Sequence, residues 1–141
     1  MFHCGDGFIL YFLLDSRFDI DLDAVRDFLR NKELARSRLL DERFVKASSD
    51  FNRITGMIIE HFKPLRIYQW GSLLDRERFS EISDIDIAVE GLSGPEEYFS
   101  LLGEALPLTD FPLDVVEIEK IGDDNARYIR EFGRIIYERP A

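Results

Sequence analysis

Residues 70–91 read WGSLLDRERFSEISDIDIAVEG, and this stretch predicts a turn that joins two strands of a sheet. The run Leu65–Trp70 is short, β-branched and aromatic, which is typical of a strand. Gly71 and Ser72 follow it directly, and serine is a residue type that caps helix N-termini. We therefore predict that a strand leads through a Gly-Ser turn into a short helix over Leu73–Phe79.

Two further strands are predicted downstream, and both carry acids near their beginnings. From Asp84 to Glu90 apolar residues alternate with acidic or small ones, so a strand there points Asp84 and Asp86 to the same face. A third strand over Leu113–Ile118 begins beside Asp114. The sequence thus predicts three carboxylates on neighbouring strands, close to the Gly-Ser turn.

Carboxylates in this arrangement suit a hard divalent cation. Residues two apart on a strand lie about 7 Å from each other, and Mg²⁺ is commonly held by one or two carboxylates together with water and phosphate oxygens. Asp84, Asp86 and Asp114 are therefore the candidate catalytic and metal-ligating residues, with two ions expected and Asp114 as a ligand or the base. Gly71 and Ser72 are the candidate nucleotide-binding residues, because glycine admits close backbone approach and helix N–H groups favour an anion.

Helices and strands alternate through the second half of the chain. A long helix is expected over Lys32–His61, another from Pro95, and a last one over Asp124–Phe132. The pattern predicts an α/β (α+β) fold, a mixed sheet flanked by helices, in a single domain. Residues 1–62 are its leader and helical extension, which we expect to pack on the sheet, and residues 63–141 are its core. The apolar stripe of the extension consists of Val25, Phe28, Leu29, Leu34, Leu39, Leu40, Phe44, Val45, Phe51, Ile54, Met57, Ile58 and Phe62.

Composition limits the partners and the compartment. The chain carries 28 acidic and 18 basic side chains, so long nucleic acid is not an expected partner. Cys4 is the single cysteine, which excludes an internal disulfide and favours a cytoplasmic setting. The apolar run at residues 8–14 is too short to span a bilayer, so no membrane partner is expected. Trp70 is expected to be a core side chain, with stacking on a nucleobase as the alternative.

The segments around the acids resemble the nucleotidyltransferase superfamily that includes DNA polymerase β. The resemblance rests on WGSLLDRERFSEISDIDIAVEG at 70–91, PLDVVEIE at 112–119 and YIREFGRIIYE at 128–138. Within that superfamily the chain looks like the minimal nucleotidyltransferases, the MntA-type antitoxins that occur beside HEPN-domain toxins. The matching text covers roughly the second half of the chain.

The resemblance implies a polymerase β-like fold and an activity. Members transfer a nucleoside monophosphate from a nucleoside triphosphate with Mg²⁺, and in the antitoxin branch AMP from ATP goes to a tyrosine of the partner toxin. By this resemblance Gly71 and Ser72 hold the triphosphate, Asp84 and Asp86 hold the metals, and Asp114 is the third carboxylate.

Two alternative functions stay open. One is a non-catalytic antitoxin that neutralises its partner by contact and keeps a vestigial nucleotide site. The other is an enzyme that modifies a small molecule of the aminoglycoside type. A homo-oligomer is compatible with each of these functions.

The Gly-Ser turn departs from the family pattern. Many minimal members continue with a basic residue, an alanine and a further glycine, whereas Leu73, Leu74, Asp75 and Arg76 follow here. We expect Arg76 or Arg78 to supply the positive charge instead.

Overall fold

A computed structural model describes residues 20–141. The chain divides into two units, of which the first ends at Ser37 and the second comprises Arg38–Ala141. The sheet lies in the second unit. The apolar run at residues 8–14 and Cys4 lie outside the described residues.

The described part of the chain contains three α-helices and four strands, joined by loops and short 3₁₀ turns. This composition confirms the predicted mixed α/β class. The fourth strand has no counterpart among the predicted strands. In chain order the elements are α1 (Leu22–His61), β1 (Arg66–Trp70), β2 (Ile85–Glu90), α2 (Pro95–Ala105), β3 (Leu113–Glu117), α3 (Asp123–Phe132) and β4 (Arg134–Glu138).

The strands form one mixed sheet in the order β3-β2-β1-β4. β1 runs antiparallel to both β2 and β4, whereas β2 and β3 are parallel and are connected through α2. The end of β1 and the beginnings of β2 and β3 therefore meet at one end of the sheet. The Gly-Ser turn and the predicted acids lie at this end.

Each face of the sheet has its own buried core. On one face, here called the α1 face, Ile67, Ile87 and Val115 are buried in a cluster that includes residues of α1 and α2. On the opposite face, here called the α3 face, Tyr68 and Ala88 are buried with residues of α3. Because side chains alternate along a strand, the residues of each strand divide between these two cores.

The buried residues of helix α1 begin at Leu40. The predicted packing of the apolar stripe is therefore wrong for its residues from Val25 to Leu39 and for Val45, which are exposed. A 40-residue helix is about 60 Å long, whereas a five- or six-residue strand spans about 17–20 Å. Within residues 20–141, no helix has both the length and the apolar character to cross a membrane. The stripe residues that are 44–67% exposed are Val25, Phe28, Leu29, Leu34, Leu39 and Val45.

Asp50 anchors the buried half of α1. Its carboxylate is almost fully buried and accepts hydrogen bonds from Lys46 Nζ at 2.7 Å, Arg53 Nη2 at 3.0 Å and Thr109 Oγ1 at 2.8 Å. Burial raises the pKa of Asp50, but the hydrogen bonds from Lys46, Thr109 and Arg53 outweigh burial and hold the pKa below its usual value. The ionised carboxylate thus fastens α1 to the loop before β3.

We expect Asp50→Ala to lower the free energy of unfolding by about 3 kcal/mol, because three donors lose their shared acceptor. Urea denaturation followed by circular dichroism measures the loss. Asp41→Ala is the matched control, since Asp41 also lies on α1 and pairs with Arg76, but its side chain is 61% exposed. We expect the control to lose less than about 1 kcal/mol. Equal losses from both variants would contradict the anchoring role of Asp50.

Candidate functional site

Two of the three predicted acids lie side by side in the sheet. Asp86 of β2 is paired with Trp70 across the antiparallel ladder and with Asp114 across the parallel ladder. Directly paired residues project to the same face, here the α3 face. Asp84 lies one residue before β2 begins, so the predicted strand is one residue too long at its start. We refer to Asp84, Asp86 and Asp114 as the acidic cluster.

The acidic cluster is electrostatically uncompensated at Asp86. Burial, followed by the charges of Asp114 and then Asp84, raises the pKa of Asp86 to about 6. No basic side chain of residues 20–141 contributes to this shift. Like charges at close range disfavour simultaneous ionisation, so a cation bound there would relieve the repulsion.

The chemistry of the cluster fits Mg²⁺. All three side chains offer only oxygen ligands, the type that this ion prefers. Among the described residues there is no group of at least three histidine, cysteine, aspartate or glutamate side chains that is arranged to hold a metal ion. An ion that takes one or two protein carboxylates and completes its shell with water and phosphate does not need such a group.

Gly71 lies directly against Asp86. Its φ of 83° is in the region that favours glycine, and a Cβ added to it would lie 2.9 Å from Cγ of Asp86 and would overlap the carboxylate. A side chain at this position would therefore displace the acid or the turn. The glycine brings the backbone of the turn into contact with the candidate metal ligand.

The helix predicted over Leu73–Phe79 is absent, and Ser72 is not an α-helix N-cap. Instead the chain forms two single 3₁₀ turns, Ser72–Leu74 and Arg76–Arg78, separated by Asp75 in an extended conformation. The Asp75 side chain accepts a hydrogen bond from the backbone N–H of Glu77 at 3.0 Å, which favours a turn over a continuous helix. The helix-dipole contribution expected for phosphate binding is therefore not available here.

The structure separates the two arginines proposed for the turn. Arg78 Nη2 donates to the Gly71 carbonyl at 3.3 Å, so its guanidinium lies beside the turn. Arg76 Nε is paired instead with Asp41 of α1 at 2.5 Å. Arg78 is thus the basic side chain held nearest to Gly71 of these two.

A cavity of about 250 Å³ lies on the α3 face, and its wall includes no member of the acidic cluster. Trp70, paired with Asp86, contributes to its wall, and the buried indole Nε1–H has no hydrogen-bond partner within residues 20–141. The side chains from α3 were not predicted as site residues, since an amide and an aromatic on an amphipathic helix give no distinctive sequence signal. The cavity is lined by Trp70, Val116, Ile121, Asn125, Tyr128 and Ile129.

Comparison with known proteins does not assign the chain to a family. It matches no protein-family model, and no curated protein is significantly similar to it. The functional inference therefore rests on the acidic cluster, the Gly71 turn above it and the cavity on the α3 face.

We expect Gly71→Ala to destabilise the fold by about 2–4 kcal/mol, because it adds a steric overlap to the strain of a positive φ. Gly122→Ala is the matched control: its φ is 87°, and its Cβ would meet no atom within 4 Å. We expect that control to lose less, because it adds the backbone strain of a positive φ without the overlap. Thermal or chemical denaturation compares the two, and equal losses would mean that contact with Asp86 does not restrict the turn.

We expect Asp86→Asn to stabilise the metal-free chain at neutral pH. Because the folded pKa is raised, the cost of ionising Asp86 is absent below about pH 4, grows up to about pH 6 and is complete above that. The gain should therefore rise from near zero at pH 4 to about 1–2 kcal/mol at pH 8.

Asp110→Asn, at an exposed position in the loop before β3, controls for the loss of one charge. Chemical denaturation at pH 4, 6 and 8 measures the free energy of unfolding of both variants. If Asp86→Asn gained no more stability than this control at any pH, Asp86 would not be destabilised by its ionisation in the fold. Excess MgCl₂ should raise the melting temperature of the wild type more than that of Asp86→Asn.

Proposed function

We propose that the chain is a Mg²⁺-dependent nucleotidyltransferase that transfers AMP from ATP to an acceptor hydroxyl. The observation that carries the proposal is the pairing of Asp86 with Asp114, next to Asp84 and beneath the backbone of Gly71. A carboxylate such as Asp86, whose pKa is raised by burial and by neighbouring acids, marks a candidate functional site. The resemblance of residues 70–91, 112–119 and 128–138 to minimal nucleotidyltransferases points to the same chemistry.

In the proposed reaction the acceptor oxygen attacks the α-phosphorus of ATP. A bond forms between that oxygen and the phosphorus, and the bond from the α-phosphorus to the oxygen that bridges the α- and β-phosphates breaks. Pyrophosphate leaves with the electron pair, and the proton of the acceptor hydroxyl passes to a carboxylate, for which Asp114 is the candidate. Asp84 and Asp86 would hold Mg²⁺, which when bound supplies charge stabilisation to the phosphates.

The turn over the cluster supplies the remaining groups. Gly71 and Ser72 hold the triphosphate through their backbone, and Arg78, which donates to the Gly71 carbonyl, supplies positive charge. The absence of an α-helix over Leu73–Phe79 means that this turn acts through local contacts rather than through a helix dipole.

The acceptor that we propose is a tyrosine of a HEPN-domain toxin, so that the chain acts as an antitoxin. Its net charge of -10 suits a basic partner surface, since charge complementarity accelerates association. The second candidate function is neutralisation of the same partner by contact alone. The altered turn favours this second candidate, because it lacks both the family's basic residue after Gly-Ser and the helix N-terminus.

We expect the full chain to transfer label from α-labelled ATP, and none from γ-labelled ATP, to a HEPN-domain protein encoded beside it. Asp84→Asn, Asp86→Asn and Asp114→Asn should each reduce transfer by at least about 100-fold, because they remove charge from the metal and proton-accepting groups. Asp110→Asn should retain full transfer.

Two outcomes would decide against transfer. If no label moves, or if Asp86→Asn transfers as much as the wild type, the acidic cluster is not catalytic. If Asp86→Ala also suppresses the toxicity of the partner completely, neutralisation by contact is the correct function.

A further inference from the structure

Two residues of the sheet line the cavity: Trp70, from the row of the acids, and Val116, from the next row. Trp70, Asp86 and Asp114 form one row of paired residues on the α3 face, and Tyr68, Ala88 and Val116 form the next row. Successive rows on one face lie about 7 Å apart along the strands. In a nucleotide the ribose separates the base from the α-phosphate by a similar span. The second row is therefore a suitable distance from metal-bound phosphates.

The walls of the cavity suit a flat aromatic group. Trp70 and Tyr128 supply two aromatic side chains, and Val116, Ile121 and Ile129 supply the apolar remainder. Tyr128 is 51% exposed, although its ring contacts Phe132, so one face of the site is accessible from solvent. The volume of about 250 Å³ is larger than that of a purine base. Aromatic side chains bind bases by stacking.

Asn125 supplies a hydrogen-bonding edge to this cavity. Its Nδ2 donates one hydrogen bond to the Ile121 carbonyl at 2.9 Å, which leaves the second N–H and the Oδ1 acceptor for a ligand. Adenine offers the matching pair, an N6 donor beside an N7 acceptor. Guanine offers two acceptors, O6 and N7, at the same edge and leaves Oδ1 without a donor.

We propose that this cavity is the base-binding subsite for the nucleotide and that Asn125 selects adenine. The inference rests on the proposed function, because it takes the acidic cluster as the phosphate end of the same ligand. It adds to that function a position for the base and a residue that discriminates between bases.

The single tryptophan of the chain provides a direct probe of the cavity. In the presence of MgCl₂, the full chain is titrated with ATP, GTP and tripolyphosphate, which has no base. Trp70 fluorescence reports occupancy of the cavity, and calorimetry measures the dissociation constants. We expect ATP to change the fluorescence and to bind about tenfold more tightly than GTP and than tripolyphosphate.

Variants on α3 separate recognition of the base from binding of the phosphates. Asn125→Ala should weaken ATP about tenfold, to the level of GTP, and Tyr128→Ala should also weaken ATP about tenfold, to the level of tripolyphosphate. Neither variant should change the dissociation constant of tripolyphosphate. Tyr128→Phe keeps the ring and should bind like the wild type. Arg127→Ala is the matched control, because Arg127 is an exposed residue of α3 that does not line the cavity.

The outcomes distinguish the subsite from the function on which it rests. If ATP and tripolyphosphate bind equally well, if Trp70 fluorescence does not respond to bound ATP, or if Asn125→Ala and Tyr128→Ala bind ATP like the wild type, the cavity is not the base subsite. The acidic cluster would then still bind phosphates as proposed. If neither ATP nor tripolyphosphate binds in the presence of MgCl₂, the proposed function itself is wrong.

Discussion

The register that pairs Asp86 with both Trp70 and Asp114 is the constraint on which the rest of the site depends. Because side chains alternate along β2, this register puts Ile85 and Ile87 into the core of the α1 face while Asp86 projects to the other face. A slip of one residue would exchange the two sets and bury the acids among apolar side chains. The hydrophobic core therefore holds the carboxylates together, although they repel one another.

Two buried or partly buried aspartates have pKa values that are shifted in opposite directions by their surroundings. Asp50 accepts hydrogen bonds from Lys46, Arg53 and Thr109, and its pKa is lowered despite burial. Burial and the charges of Asp114 and Asp84 raise the pKa of Asp86 to about 6, and no basic side chain of residues 20–141 contributes to that shift. The first is a structural anchor that is satisfied within the protein. A divalent cation bound beside the second would offset the repulsion between its charge and those of the neighbouring acids.

The two faces of the sheet also differ in how completely they are covered. The core of the α1 face includes side chains from β1, β2 and β3 together with α1 and α2. On the α3 face the shorter helix α3 buries Ala126 and Ile129 against Tyr68 and Ala88, and it leaves a cavity. The larger core and the cavity thus lie on opposite faces of the sheet.

The sequence alone determined three of the four strands in residues 20–141 and the candidate ligands, because both follow from local patterns. Alternation over Asp84–Glu90 predicted β2 and showed that Asp86 lies on the face opposite to Ile85 and Ile87. The pattern over Leu113–Ile118 predicted β3, which places Asp114 beside Asp86. The mixed α/β class followed from the same alternation of elements. Only the tertiary structure decided which part of α1 is buried, since its apolar stripe begins at Val25 whereas its buried residues begin at Leu40.

The turn and the cavity were likewise decided by tertiary structure. Contact between Gly71 and the Asp86 carboxylate, and the side-chain hydrogen bond of Asp75, replace the predicted helix with two 3₁₀ turns. Asn125 and Tyr128 approach Trp70 only because α3 folds back across the sheet. Periodicity reports which side of an element faces a core, but it does not report which distant residues will meet there. For that reason the sequence predicted the acids, whereas it did not predict the residues that line the cavity.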